Sequence, residues 1–319
     1  MNSLFTILKD IQINVPQSQL QHSFVLCGQN QAGKSTIVSK LASQSIQDQA
    51  GLIYTQQKTN IIGYQAVLQY FEISGQAFKQ LLTLPLNKQS YQQHSYVLVI
   101  DLSDNPHEIL NVCNAEIRYI REETEKKLQQ SIDVNTFKQL ELNIYDKIMM
   151  HHDKNRIVPL YVPIIIVGWK YDLFSKNLDL ESRKWITRGL RYLAHTNNCS
   201  LVFGSNQDYQ FVRQTLQYHV KPTASIYQYD HLKQICITQL SDSIENINLP
   251  PSGNNPLDGF NKIIKDQIVA QVNNQKKKKQ TKITEEDWNN YKEEKIDRLI
   301  KQFEFQQKQA LKQEETVLI

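Results

Sequence analysis

The sequence predicts an α/β fold in which a mostly parallel central sheet is flanked by helices. Three observations carry that reading. A compact apolar strand at residues 22–27 runs straight into a glycine-rich turn and then into a helix at 35–42. Strand and helix patterns alternate from there to about residue 240, as they do when crossover helices join parallel strands. The 319 residues, 40% hydrophobic and 21% charged, are enough to bury the core such a sheet needs.

Taken in order, Leu4, Ile7, Leu8 and Ile11 recur at helical spacing, so residues 1–20 read as an N-terminal amphipathic helix ahead of the main domain at 21–247. Residues 44–60 are rich in Gln, Ser and Asp and read as loop. Alternation at 65–73 and the apolar run 96–101 each predict a strand. A helical tract follows at 106–130 and 136–151, broken near Ile132-Asp133. It is about twice what one crossover needs, so residues 106–156 read as a helical insertion. Residues 161–167 form the most apolar strand, 180–197 a helix and 200–205 a further strand. Three prolines and a glycine at 248–256 mark the exit from the domain into a 248–280 segment, with a helix at 257–272 and the basic run Lys276–Lys279. Within 281–319, Trp288, Tyr291, Leu299, Ile300, Phe303 and Ala310 share one face, which predicts a C-terminal amphipathic docking helix.

Composition excludes several classes. Lys+Arg 36 against Asp+Glu 32 leaves +4, too mild a bias to point to nucleic acid. The longest apolar stretch, 157–169, is too short for a bilayer and contains Pro159 and Pro163, so no transmembrane segment is expected. Residues 1–14 lack the pattern of a secretory signal. Cys27, Cys113, Cys199 and Cys236 have no C-x-x-C spacing and read as buried thiols of a reducing compartment.

Gly28-Gln29-Asn30-Gln31-Ala32-Gly33-Lys34-Ser35 fits G-x-x-x-x-G-K-S between a strand and a helix, the context this phosphate-binding loop requires. The glycines let the backbone curl so that N–H groups face phosphate oxygens. Lys34 adds a point charge, and Ser35, followed by Thr36, can ligate Mg²⁺. Downstream, Gly168-Trp169-Lys170-Tyr171-Asp172 is similar to the guanine-reading N-K-x-D motif of Ras-like proteins, with Trp169 in place of Asn and with Lys170 and Asp172 kept. Ser205-Asn206 stands where that class carries its S-A-K loop. Glu72-Ile73-Ser74-Gly75 resembles D-x-x-G with Glu for Asp, and Gln76 follows where a GTPase carries its water-orienting Gln. The candidate nucleotide residues are therefore Gly28, Gln31, Ala32, Gly33, Lys34, Ser35, Thr36, Lys170, Asp172 and Ser205. Ser35 is the candidate Mg²⁺ ligand with Glu72 behind it, and Gln76 is a weak catalytic candidate. GDP or GTP with Mg²⁺ is the expected ligand, with an empty site as the alternative. Thr55 and Thr59 are the candidate switch-loop threonines. Asp101 reads as a strand-end residue shaping the turn with Ser103 and Asp104, the alternative being a Walker B carboxylate of an ATPase or kinase. His151-His152-Asp153 reads as a solvated helix end, since adjacent helical positions point apart.

Residues 28–36, YVLVIDLSDN at 96–105, VPIIIVGWKYDLF at 162–174 and Arg191-Tyr192-Leu193-Ala194-His195 together resemble the light intermediate chains of cytoplasmic dynein, and more closely the ciliary, dynein 2 type. The resemblance covers about residues 1–275. It implies a Ras-like domain serving as a non-motor subunit that binds and stabilises the heavy-chain tail for retrograde intraflagellar transport. Its expected partners are the heavy chain, other dynein 2 subunits and the transport machinery, in the cytoplasm, cilium and basal body. An active regulatory GTPase is the alternative reading.

Overall fold

The computed structural model describes residues 20–43, 51–74, 76–86, 91–251 and 255–280. Their strands are β1 (Leu20–Gly28), β2 (Gly51–Ile61), β3 (Tyr64–Ser74), β4 (His94–Asp101), β5 (Ile164–Trp169), β6 (Ser200–Phe203), β7 (Tyr227–Gln228) and β8 (Cys236–Ile237). The helices are α1 (Lys34–Ala42), α2 (Ile109–Ser131), α3 (Val134–Met149), α4 (Tyr171–Asn177), α5 (Leu180–Thr196), α6 (Gln210–Val220), α7 (Ile244–Ile247) and α8 (Pro256–Gln280).

One eight-stranded sheet runs β2-β3-β1-β4-β5-β6-β8-β7. The five central strands β3 to β6 are parallel, while β2 and the β8-β7 pair add antiparallel edges. Every residue of β4 and β5 is buried, which explains their unbroken Val/Ile/Leu runs: helices cover both faces. Ile37, Val38 and Leu41 of α1 and Val212 and Leu216 of α6 pack with Leu26, Val97, Val99 and Val167. The α2–α5 pair is brought close by Gly189, where a Cβ would lie 2.4 Å from Leu110 Cδ1. The break between α2 and α3 falls at Ile132-Asp133 as the sequence suggests, and Asp133 caps α3 by accepting from the Thr136 amide at 3.0 Å.

Several expectations change. Of the segment read as loop, residues 51–61 form β2, an edge strand paired residue for residue with β3. Its outer face carries Gln and Lys and so lacks the apolar alternation of a half-buried strand. The hairpin closes on Ile62-Gly63, both at positive φ (50° and 79°), the geometry of a two-residue hairpin turn. Thr55 and Thr59 therefore sit opposite Tyr70 and Ala66 in a ladder and not on a switch loop. α8 continues as helix through Lys276–Lys279, where the sequence suggested a linker. The first compact unit ends at Lys265, past the 247 boundary, because Phe260 and Ile264 are buried and Phe260 packs on Trp185 and Tyr192. The second unit, from Asp266, is described only over its helical residues 266–280.

All four cysteines are buried free thiols. Among the described residues no helix is long and apolar enough to cross a membrane. Leu20 begins β1, and the rest of the helix expected at 1–20, the helix expected at 281–319 and Gly75 lie outside the described residues.

Candidate nucleotide site

β1 ends at Gly28 and α1 begins at Lys34, so the five-residue turn between them is built where the motif demands. Gly28 has φ +123° and a Cβ there would lie 2.2 Å from the Val99 carbonyl oxygen. Gly33 has φ +102°, and Gln31 is left-handed at φ 59°. Only glycine meets both demands at 28 and 33, a backbone that curls and a neighbour that touches it.

Lys34, 5% exposed, reaches back across the loop to donate to the carbonyls of Gln29 (2.7 Å) and Gly28 (3.2 Å). Burial lowers its proton affinity, and the nearby Glu72 carboxylate opposes that shift. Ser35 Oγ donates to Glu72 Oε1 at 2.5 Å, so the candidate metal ligand and the carboxylate behind it are brought together. Gln76 begins a short 3₁₀ turn after β3.

Trp169, the last residue of β5, is 2% exposed. A Cβ on Gly33 would lie 2.4 Å from its Cδ1, and a Cβ on Gly204 would lie 3.0 Å from its Cζ3. The indole is thus wedged between the phosphate loop and the loop after β6, its five-membered ring against one and its six-membered ring against the other. Lys170 follows in the left-handed region (φ 61°), and its ammonium pairs with Asp101 Oδ2. Asp101 Oδ1 meanwhile accepts from Ser103 N at 2.8 Å and Ser103 Oγ at 2.7 Å. That is the turn-shaping role expected for Asp101, with an added partner 69 residues away. Asp172 stands exposed in the first turn of α4. Ser205 is buried and closes a turn with Asp208, donating its amide to the Asp208 carbonyl (2.8 Å) while its Oγ accepts from the Asp208 amide (3.1 Å). The residues present fit a phosphate chain on the Gly28–Ser35 loop. They fit a guanine ring less well, since Lys170 is held by Asp101 and the Ser205 hydroxyl by its own turn.

Two neighbours escape the motifs. Glu116 of α2, buried, pairs with Lys79 at 2.5 Å beside Cys27, whose thiol burial pushes up to about 12. The signal was an acid adjoining the apolar stripe Ile109, Cys113, Ile117, Ile120. The His151-His152-Asp153 run lies beyond the end of α3, so helical geometry does not separate it, and potential ligand atoms fall within 4.8 Å of one another. His151 is nonetheless committed: Nδ1 accepts from the Asp153 amide (3.1 Å) and Nε2 meets the Asp242 carbonyl (3.0 Å).

A mostly parallel sheet, a phosphate loop between its first strand and helix, and a loop after β5 that keeps Lys170 and Asp172 but not the Asn define a Ras-like P-loop fold whose base loop departs from the guanine-reading motif. Comparison narrows the class. No model of a known protein family matches the chain. It is 26% identical over 246 residues to cytoplasmic dynein 2 light intermediate chain 1 of Mus musculus, covering 72% of this chain and 69% of that one. It is 31% identical over 186 residues to the Danio rerio protein of the same name, covering 55% and 50%. A solved structure, the crystal structure of the dynein light intermediate chain's conserved domain, shares the fold with a TM-score of 0.56 at 14% identity, covering 76% of this chain and 89% of that one. The chain is thus similar to the cytoplasmic dynein 2 light intermediate chains, and it spans between 50% and 69% of the length of the curated relatives it matches.

Proposed function

We propose that the chain is a non-catalytic subunit of a ciliary dynein 2, whose Ras-like domain is a rigid platform for the heavy-chain tail in retrograde intraflagellar transport and cilium assembly. The observation that carries the reading is the Trp169 wedge. A switch protein needs its phosphate and base loops to rearrange between states. Here a buried indole packs both loops into one arrangement, and Lys170, Asp101 and Ser205 are tied into local bonds that reinforce it. Kinship to the dynein 2 light intermediate chains supplies the partner class. A guanine nucleotide with Mg²⁺ on Gly28–Ser35 would then act as a folding ligand, stabilising the native state whether or not it is hydrolysed.

The test is co-expression with a dynein 2 heavy-chain tail, followed by size-exclusion chromatography and by chromatography of nucleotide released on denaturation. A stoichiometric complex, with GTP hydrolysis no faster than that of a Lys34→Ala control, is the expected result. A chain that stays apart from the tail and hydrolyses GTP above that control would restore the regulatory GTPase.

A further inference from the structure

A recess of about 500 Å³ opens between α5 and the segment around β7, away from the phosphate loop. Lys184, Arg188 and Arg191 stand at i, i+4 and i+7 on α5, so helical geometry brings all three to one face, and all three line this recess. Their situations differ. Arg191 is buried and fixed: Nε and Nη2 donate to the two carboxylate oxygens of Asp242 at 2.8 and 2.7 Å, and its guanidinium stacks 5.4 Å from the Tyr229 ring centroid. Lys184 at the rim pairs loosely with Glu181 at 3.2 Å. Arg188 has no ion pair or hydrogen bond among the described residues, and its guanidinium carbon lies 5.1 Å from the centre of the Trp185 ring. Burial and the neighbouring Arg191 cation lower its proton affinity, and the Glu181 carboxylate opposes them in part. Asp230, also in the wall, turns its Oδ1 to the Leu232 amide at 2.9 Å and caps its own turn.

A half-buried guanidinium beside a second cation, offset only by an exposed carboxylate that it shares with Lys184, gains from a further anion. We propose that this recess is a binding site for a phosphate group, free or carried as a monoester, with Arg188 as its principal contact and Lys184 and His231 at its rim. The chemistry favours phosphate over carboxylate. Donors converge here from α5 and from the opposite wall, where His231 and Asn246 lie, which suits the three terminal oxygens of a tetrahedral group better than the two of a planar one. The aromatic stack keeps the Arg188 fork pre-oriented, so little freedom is lost on binding.

The full-length chain is titrated by calorimetry with O-phosphoserine and, separately, with inorganic phosphate, each with excess GDP and Mg²⁺ present to saturate the phosphate loop. Saturable binding is expected, weakened roughly tenfold or more by Arg188→Gln and less by Lys184→Ala, as loss of a charge-assisted hydrogen bond requires. Tighter binding of O-phosphoserine than of inorganic phosphate would assign the group to a phosphorylated side chain, and equal binding would assign it to free phosphate. Absence of saturable binding, or binding that Arg188→Gln leaves unchanged, overturns the proposal.

Discussion

At Trp169 a bulky indole stands where a small amide was expected from the motif, and what changes is the kind of bond that joins the two loops. Packing replaces hydrogen bonding, so the joint depends on volume. Trp169→Ala is expected to cost about 3–5 kcal/mol, the range for truncating a large buried aromatic side chain, measured as a shift of the urea midpoint at constant slope. Gly33→Ala is expected to lose stability too, since its Cβ would enter the indole from a backbone at φ +102°. The buried Arg191–Asp242 pair, with side chains 5% and 4% exposed, makes a second residue-scale test. Asp242→Ala strands a buried guanidinium and should cost about 3–5 kcal/mol in the same measurement.

Among elements, the central strands carry a pH dependence. His94 on β4 is fully buried and His219 on α6 is partly so, and loss of hydration holds them down to about 3 and about 4 respectively. His22 on β1 is lowered by burial as well, and then by its histidine neighbours. A histidine lowered in the native state stays neutral there while the unfolded chain takes up a proton near pH 6.5. Stability is therefore complete above about pH 6.5 and falls as the pH drops toward 4, by at most about 1.4 kcal/mol per pH unit for each histidine. Urea melts between pH 7 and pH 4.5 should show the slope, and His219→Gln should flatten it. On α5, Asp179 accepts from the Ser182 amide at 2.7 Å, so Asp179→Ala is expected to cost about 1 kcal/mol.

For the molecule as a whole, the compact unit closes at Lys265 with Phe260 and Ile264 in place. Removing residues 281–319 should leave the melting temperature of the α/β domain unchanged while weakening co-purification with a heavy-chain tail. A fall in melting temperature would assign that segment to the core. Lys34→Ala should lower the melting temperature more in excess GDP than without nucleotide, because a ligand held at 100 times its Kd adds about 2.7 kcal/mol that the variant would forgo. Equal shifts would show that the loop takes no nucleotide.

The phosphate loop, the order of the central strands and helices, the break at Ile132-Asp133 and the resemblance to the light intermediate chains were all legible from the residues alone. Each of these is a constraint between residues close in the chain: a glycine that must take positive φ, a period of two or of three to four, a cap three residues from its amide. Tertiary structure alone decided that Trp169 would be a wedge, that Lys170 would be claimed by Asp101, that the polar residues 51–61 would become an edge strand on β3, and that Lys184, Arg188 and Arg191 would line a recess instead of a solvated face. Those outcomes depend on which groups the folded sheet carries across tens of residues into contact. A local pattern records what a side chain is, while its partner is chosen only when the chain closes around it.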